Sequence, residues 1–427
     1  MLSRRAWIAL NFYCKSRGRD GCHGLFLLGE IDMNNMVERM KSNIKKNYLF
    51  SFLMNMRLSS GLWMIYMASK GMSLTQIGFL EGIFHVTSLT MEVPTGSVAD
   101  LFGRKLSRTM GRCLSLVSIL VLIGSRNFLH FALFMVLAAL SYNLESGSGE
   151  ALVYDSLKYL KKEDNFISVL GRQEAIFQVS SVAALLIGGF LGTYNYHYAF
   201  WVSAGIITFS AVYSLSFTEP PILESVSRNS KTFRGFLKQI VDSFSIIARD
   251  KKVAFLIFFV QTILAFSACI FFYIQNYWKG LGRTEFQIGI YLAAGSFLAG
   301  LVAMKVQRLS HLLKEKKVLI ILPLVSVASM WGVALCSNKL PFFMVVTMIE
   351  AMLFVAGNDY INKLIPSRSR ATIISFASMM YSLVMIIFFP IFGRIADTIS
   401  FGVAFVSLAV MASCLYVFSM YLLKKIG

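Results

Sequence analysis

From Asn47 onward the chain alternates between apolar runs and short polar gaps, and each of the twelve runs is near the ~20 residues needed to cross a hydrocarbon layer. The runs fall at 47–69, 76–98, 107–126, 130–156, 172–193, 197–217, 253–276, 287–307, 318–337, 341–362, 371–393 and 401–423. Each is predicted to be helical, because within lipid only helices and closed barrels satisfy every backbone group. The short alternating segments of a barrel are absent from the sequence. The pattern predicts an all-α integral membrane protein with twelve transmembrane helices.

The gaps divide these helices six and six. The longest, 218–252, opens with Thr218-Glu-Pro-Pro-Ile and continues as a basic, partly amphipathic segment from Phe233 to Ala248. Such a segment is expected on an anionic membrane surface. The expected organisation is a tail over 1–45, a six-helix bundle over 46–217, a linker over 218–252 and a second bundle over 253–427. The tail is polar and basic, with no run long enough to span a bilayer. Its Gly29-Glu30 pair just before Met33 fits an in-frame ribosome-binding site, which suggests a start at Met33 or Met36.

Internal repetition supports the division. Lys70-Gly-Met-Ser-Leu-Thr-Gln-Ile-Gly78 returns as Lys279-Gly-Leu-Gly-Arg-Thr-Glu-Phe-Gln-Ile-Gly289, joining the first and second helix of each half. Gly82 and Ala293 follow in register and extend a small-residue face suited to close packing. A second echo sets Gly188, Thr193 and Ala199-Phe200 against Gly393, Thr398 and Ala404-Phe405. Repeated halves with a site between them are the pattern of secondary transporters.

Composition agrees. The 427 residues are 56% hydrophobic and 15% charged, against about 25% charged in soluble proteins. A net charge of +19 raises nucleic acid as a partner, but its distribution argues against that reading. The basic residues gather in alternate gaps, 24 on one side and six on the other, so the positive-inside rule puts both termini in the cytoplasm. The cysteines, Cys14, Cys22, Cys113, Cys269, Cys336 and Cys414, lack ligand spacing, and no metal is expected. There is no phosphate-cradling loop, and the five histidines are scattered, so neither an enzyme nor an ATP-driven pump is indicated.

Ionisable residues inside a membrane span are costly and tend to be functional. Arg57 lies in the first span, Glu145 in the fourth and Glu350 in the tenth, all near mid-depth. An Arg57–Glu145 ion pair is expected at a central cavity, with Glu350 facing it from the other half; these three are the candidate substrate or proton site. A purely structural pair is the alternative.

A charged, glycine-bearing stretch separates the second and third spans: Glu92-Val-Pro-Thr-Gly96-Ser-Val-Ala-Asp100-Leu-Phe-Gly103-Arg104-Lys105. Gly96 and Gly103 are expected to permit close packing and a sharp turn. This run resembles the loop signature of the major facilitator superfamily, in a bacterial form. The resemblance implies two six-helix bundles and a conformational latch formed by Gly96, Asp100, Gly103, Arg104 and Lys105. It also implies that Asp100 sits near the start of the eleventh helix, around Ser369–Thr372, and that Arg104 pairs with Glu150 or Asp155. Antiporters of the superfamily place an arginine where this chain has Asn143, and their proline-bearing fifth-helix motif is reduced to Gly188-Gly189 and Gly192.

The expectation is a monomeric multi-pass protein of the bacterial cytoplasmic membrane, without cofactor, that moves a small organic solute. Proton-gradient-driven efflux of amphipathic compounds is favoured. Uptake or facilitated diffusion of a small metabolite is the runner-up, and a non-transporting receptor on the same scaffold is a third reading.

Overall fold

The computed structural model describes residues 19–221, 251–306, 315–364 and 370–426. Within them the chain is helical and has no strand. The first half holds α1 (Arg19–Asn55), α2 (Trp63–Ser69), α3 (Leu74–Phe102), α4 (Arg104–Gly124), α5 (Phe128–Tyr159), α6 (Phe166–Tyr194) and α7 (Tyr196–Ser214). The second half holds α8 (Lys251–Gly280), α9 (Glu285–Ala303), α10 (Glu315–Leu335), α11 (Leu340–Leu364), α12 (Arg370–Thr398) and α13 (Phe401–Ile426). Among the described residues nine helices are long and apolar enough to cross a membrane. The α1–α2 pair, α3 and α7 complete the twelve: the first is broken, α3 carries Glu81, His85 and Glu92, and α7 carries Ser203, Ser210 and Ser214.

Three expectations change. The first span is not continuous over 47–69, because the chain leaves the helix between Asn55 and Trp63. Its first part, α1, begins at Arg19, inside the expected tail, and its Asn43 is fully buried. Asn43 donates to Thr218 O at 2.7 Å and accepts from Thr218 N at 3.0 Å, tying α1 to the chain just beyond α7. The stretch expected as a turn around Gly96 is helix up to Phe102, and an added Cβ on Gly96 would meet nothing within 4 Å, so Gly96 mediates no close approach. Gly103 alone makes the turn, at φ +99°, where side-chain-bearing residues are strained. The segment 1–18, the amphipathic stretch Phe233–Ala248 and Ser369 lie outside the described residues.

The two halves meet along α3 with α12 and α6 with α9, and the repeated sequences build both seams. Ser73 and Thr284 occupy equivalent positions and form matching capping boxes with Gln76 and Gln287. A Cβ on Gly78 would lie 2.6 Å from Pro390 Cα, and one on Gly289 2.6 Å from Leu185 O. A Cβ on Gly189 would lie 2.7 Å from Glu285 O, and one on Gly393 would run into Leu74 O and lie 2.6 Å from Leu74 C. The helices touch backbone to backbone, which only glycine permits.

Polar bonds lock the same end. Asp397 at the end of α12 accepts from Leu74 N at 3.0 Å, Thr75 N at 2.8 Å and Thr75 Oγ1 at 2.6 Å, capping α3 from the other half. Across the second seam Phe286 N donates to Thr193 Oγ1 at 2.9 Å. Tyr196 bonds Glu285, which also meets Lys279 Nζ at 2.6 Å.

Gly393→Val is therefore expected to force α3 and α12 apart at a cost of ~1–3 kcal/mol from overpacking. Gly96→Ala, on an open helix face, should be neutral or stabilising by up to about 1 kcal/mol. Thermal unfolding in detergent checks the contrast: only the first should lower the midpoint.

Candidate functional site

Small residues bring α4 and α5 together. Ser107 Oγ donates to Leu144 O at 2.7 Å and Ser141 Oγ to Gly111 O at 2.9 Å. On this closed face Arg108 and Arg112, one turn apart on α4, flank Glu145 of α5. Glu145 Oε1 lies 3.2 Å from Arg108 Nε and Oε2 lies 3.3 Å from Arg112 Nε. All three are buried. Arg108 also donates to Asn47 Oδ1 at 2.9 Å, and its guanidinium carbon stands 4.2 Å from the centre of the Phe50 ring and 4.9 Å from that of Phe217.

The expected Arg57–Glu145 ion pair is thus not formed. Two arginines of α4 already hold both carboxylate oxygens, whereas Arg57 sits in the break between α1 and α2 and is exposed. It lies within electrostatic range of Arg112, Tyr142 and Glu145. Among the described residues its guanidinium has no hydrogen bond or ion pair.

Glu350 comes from α11 in the second half, partly buried, and among the described residues it also makes no ion pair or hydrogen bond. Tyr381 of α12 lies within electrostatic range of Glu350, Glu81 and Tyr142. Tyr142 is thus within electrostatic range of Arg57 on its own half and of Tyr381 on the other. Sequence reasoning missed the group next to it. Glu81 Oε1 lies 3.5 Å from His85 Nε2, and His85 Nδ1 lies 3.2 Å from Ser382 Oγ across the α3–α12 seam. The signal was a Glu and a His four apart within an apolar run, one face of a helix.

At the opposite end of the bundle, Arg104 Nη1 donates to Asp100 Oδ1 at 2.7 Å and Arg104 Nε lies 3.6 Å from Asp155 Oδ2. Of the two acids expected to meet Arg104 it is Asp155 that does; Glu150 is exposed and forms no ion pair among the described residues. Glu219, at the opening of the linker and outside the expected latch, accepts from Arg104 N at 2.7 Å and Lys105 N at 2.8 Å. Its carboxylate caps the start of α4, where unpaired N–H groups and the helix dipole favour negative charge. A Cβ on Gly103 would lie 2.8 Å from the Glu219 carboxyl carbon, so this glycine also makes room for the cap. The bonds of Arg104 and Glu219 stay within the first half.

Two repeated helical halves joined by glycine seams, built of helices long and apolar enough to cross a membrane, are the architecture of a multi-pass membrane transporter. The family model of the Major Facilitator Superfamily matches residues 47–389, and the chain belongs to that superfamily. It is a secondary transporter of a family that is not an enzyme class. It is 24% identical over 373 residues to the uncharacterized MFS-type transporter YxaM of Bacillus subtilis (strain 168), covering 85% of this chain and 92% of that one. A shorter match, 28% identical over 158 residues and 36% of this chain, is to 38% of an uncharacterized transporter of Buchnera aphidicola subsp. Schizaphis graminum (strain Sg). Among solved structures, the nucleoside transporter NupG superposes with a TM-score of 0.73 at 13% identity, covering 90% of this chain and 99% of that one. A bacterial homologue of the human lysosomal transporter Spinster, inward-facing and unoccupied, gives 0.66 at 14% identity over 89% of this chain and 97% of that one.

Replacing Glu145 by Gln leaves two buried guanidinium groups without a counter-charge, a cost of about 3–5 kcal/mol. Glu145→Gln is expected to lose most of its folded yield, while Arg57→Gln folds like the parent. Membrane yield and monodispersity after solubilisation make the comparison.

Proposed function

We propose that the protein exports small amphipathic organic compounds by alternating access, in exchange for protons. The observation that carries this reading is the placement of Arg57 and Tyr142 on one half opposite Tyr381 and Glu350 on the other, beside seams whose polar locks lie at one end. A solute held by groups of both halves couples its binding to their relative motion.

The basic loops put both termini in the cytoplasm of a bacterial inner membrane, so the end locked by Asp397 and Thr193 faces outward. The arrangement is then inward-facing, ready to load from the cytoplasm. Asp100, Arg104, Lys105, Asp155 and Glu219 occupy the opposite end, where a latch for the other state belongs. The rings of Phe84, Tyr142 and Tyr381, with Phe84–Tyr142 centroids 6.2 Å apart, supply apolar wall next to charge. Glu350 is the proton carrier in this scheme, since a carboxyl without an ion pair inside a membrane is free to bind and release a proton.

The test is accumulation of anionic and cationic amphipathic dyes in energised cells lacking their main efflux pumps. Wild type is expected to lower accumulation of at least one dye, a protonophore to abolish the effect, and Glu350→Gln to lose it at equal membrane level. Equal accumulation with and without the protein would overturn export of such compounds.

A further inference from the structure

We propose that the transported solute is an organic anion and that Arg57 receives its oxyanion group. This rests on the transport reading and specifies the substrate class of the same site.

The charge balance carries the argument. Three guanidinium groups, Arg57, Arg108 and Arg112, share one nearby carboxylate, Glu145. Both oxygens of Glu145 face Arg108 and Arg112, so it cannot neutralise Arg57 as well. Arginine does not shed its charge at any physiological pH. Near mid-depth of a bilayer an uncompensated cation is costly, and such groups point into water-filled cavities or toward a partner. Arg57 has the electrostatic surroundings of the bundle interior, with Arg112 and Tyr142 in range, yet its side chain is uncovered.

Beside Arg108, Asn47 Nδ2 is buried without a hydrogen bond. The backbone contributes too. The break between α1 and α2 puts Arg57 on irregular chain, and non-helical backbone at membrane depth is tolerated where it lines a cavity. A planar guanidinium binds a carboxylate, sulfonate or phosphate through two parallel bonds. The body of the anion has Tyr142, itself in range of Arg57, and Phe84 beside it. Glu350 of the other half lies within electrostatic range of Tyr381, and in its protonated form it would not repel such a ligand.

The test reads the local charge directly and needs no transport assay, so it stands or falls separately from the export reading. Tyr142→Cys is introduced into the full chain with its six native cysteines replaced by alanine. The purified protein is treated with two methanethiosulfonates of matching size, one a sulfonate and one a trimethylammonium. Rates are normalised to a free thiol in solution.

The anionic reagent is expected to react about tenfold faster than the cationic one, the scale of one unscreened neighbouring charge. The preference should vanish with Arg57→Gln and survive Arg57→Lys. Equal rates in the parent, a cationic preference, or an anionic preference that Arg57→Gln leaves intact would each overturn the proposal. So would a thiol that neither reagent reaches. The parent ratio decides even where a variant fails to fold.

Discussion

The architecture depends on backbone-to-backbone contact at a few glycines. Gly78, Gly189, Gly289 and Gly393 let α3 approach α12 and α6 approach α9 so closely that a methyl group on any of them would overlap the neighbour. In lipid no hydrophobic effect drives helices together, so association rests on packing and interhelical hydrogen bonds. Small-residue contact provides the first, and Asp397 and Thr193 provide the second. Both belong to one end of the molecule. Such seams are strong when closed, and because they consist of a few short-range contacts they can part as a unit. That is the requirement for a gate between two rigid halves.

Charge within the first half follows a different logic. Glu145 between Arg108 and Arg112, with aromatic rings and Asn47 around Arg108, is a buried network that would be expensive to open. It serves as framework, holding α4 and α5 together. Arg57 and Glu350 lie outside that network, and among the described residues neither makes an ion pair. Glu81, His85 and Ser382 add a hydrogen-bonded crossing between the halves at the inner limit of the α3–α12 polar contacts.

Much of this was legible in the chain itself. The run lengths gave the twelve helices, and the two internal echoes named the residues that now form the seams: Gly78 and Gly393 on one, Thr193 and Gly289 on the other. A repeat is informative here because pseudo-symmetric halves use equivalent positions to grip each other. The partner of Glu145 was not legible, since a lone charge in each of several spans says nothing of which helix faces which. Arg108 and Arg112 follow the charged loop closely in the chain, as loop-proximal positive charge does, yet both are buried. Gly96 and Gly103 look alike in the sequence, and only the turn at Gly103 has a positive φ. The break in the first span did leave a local signal, Ser59-Ser60-Gly61 after Arg57, which the apolar flanks masked when the run was read as a whole.

The most direct test of the account is a pair of spin-label distances across the α6–α9 seam, measured on the full chain in bilayers. One pair sits at the locked end, Tyr194 with Leu281, and the other at the opposite end, Ile167 with Met304, all four exposed. Alternating access predicts two populations for each pair, linked so that the locked-end distance lengthens as the opposite one shortens when pH is changed. A single fixed distance at both ends, or two distances that lengthen together, would contradict it.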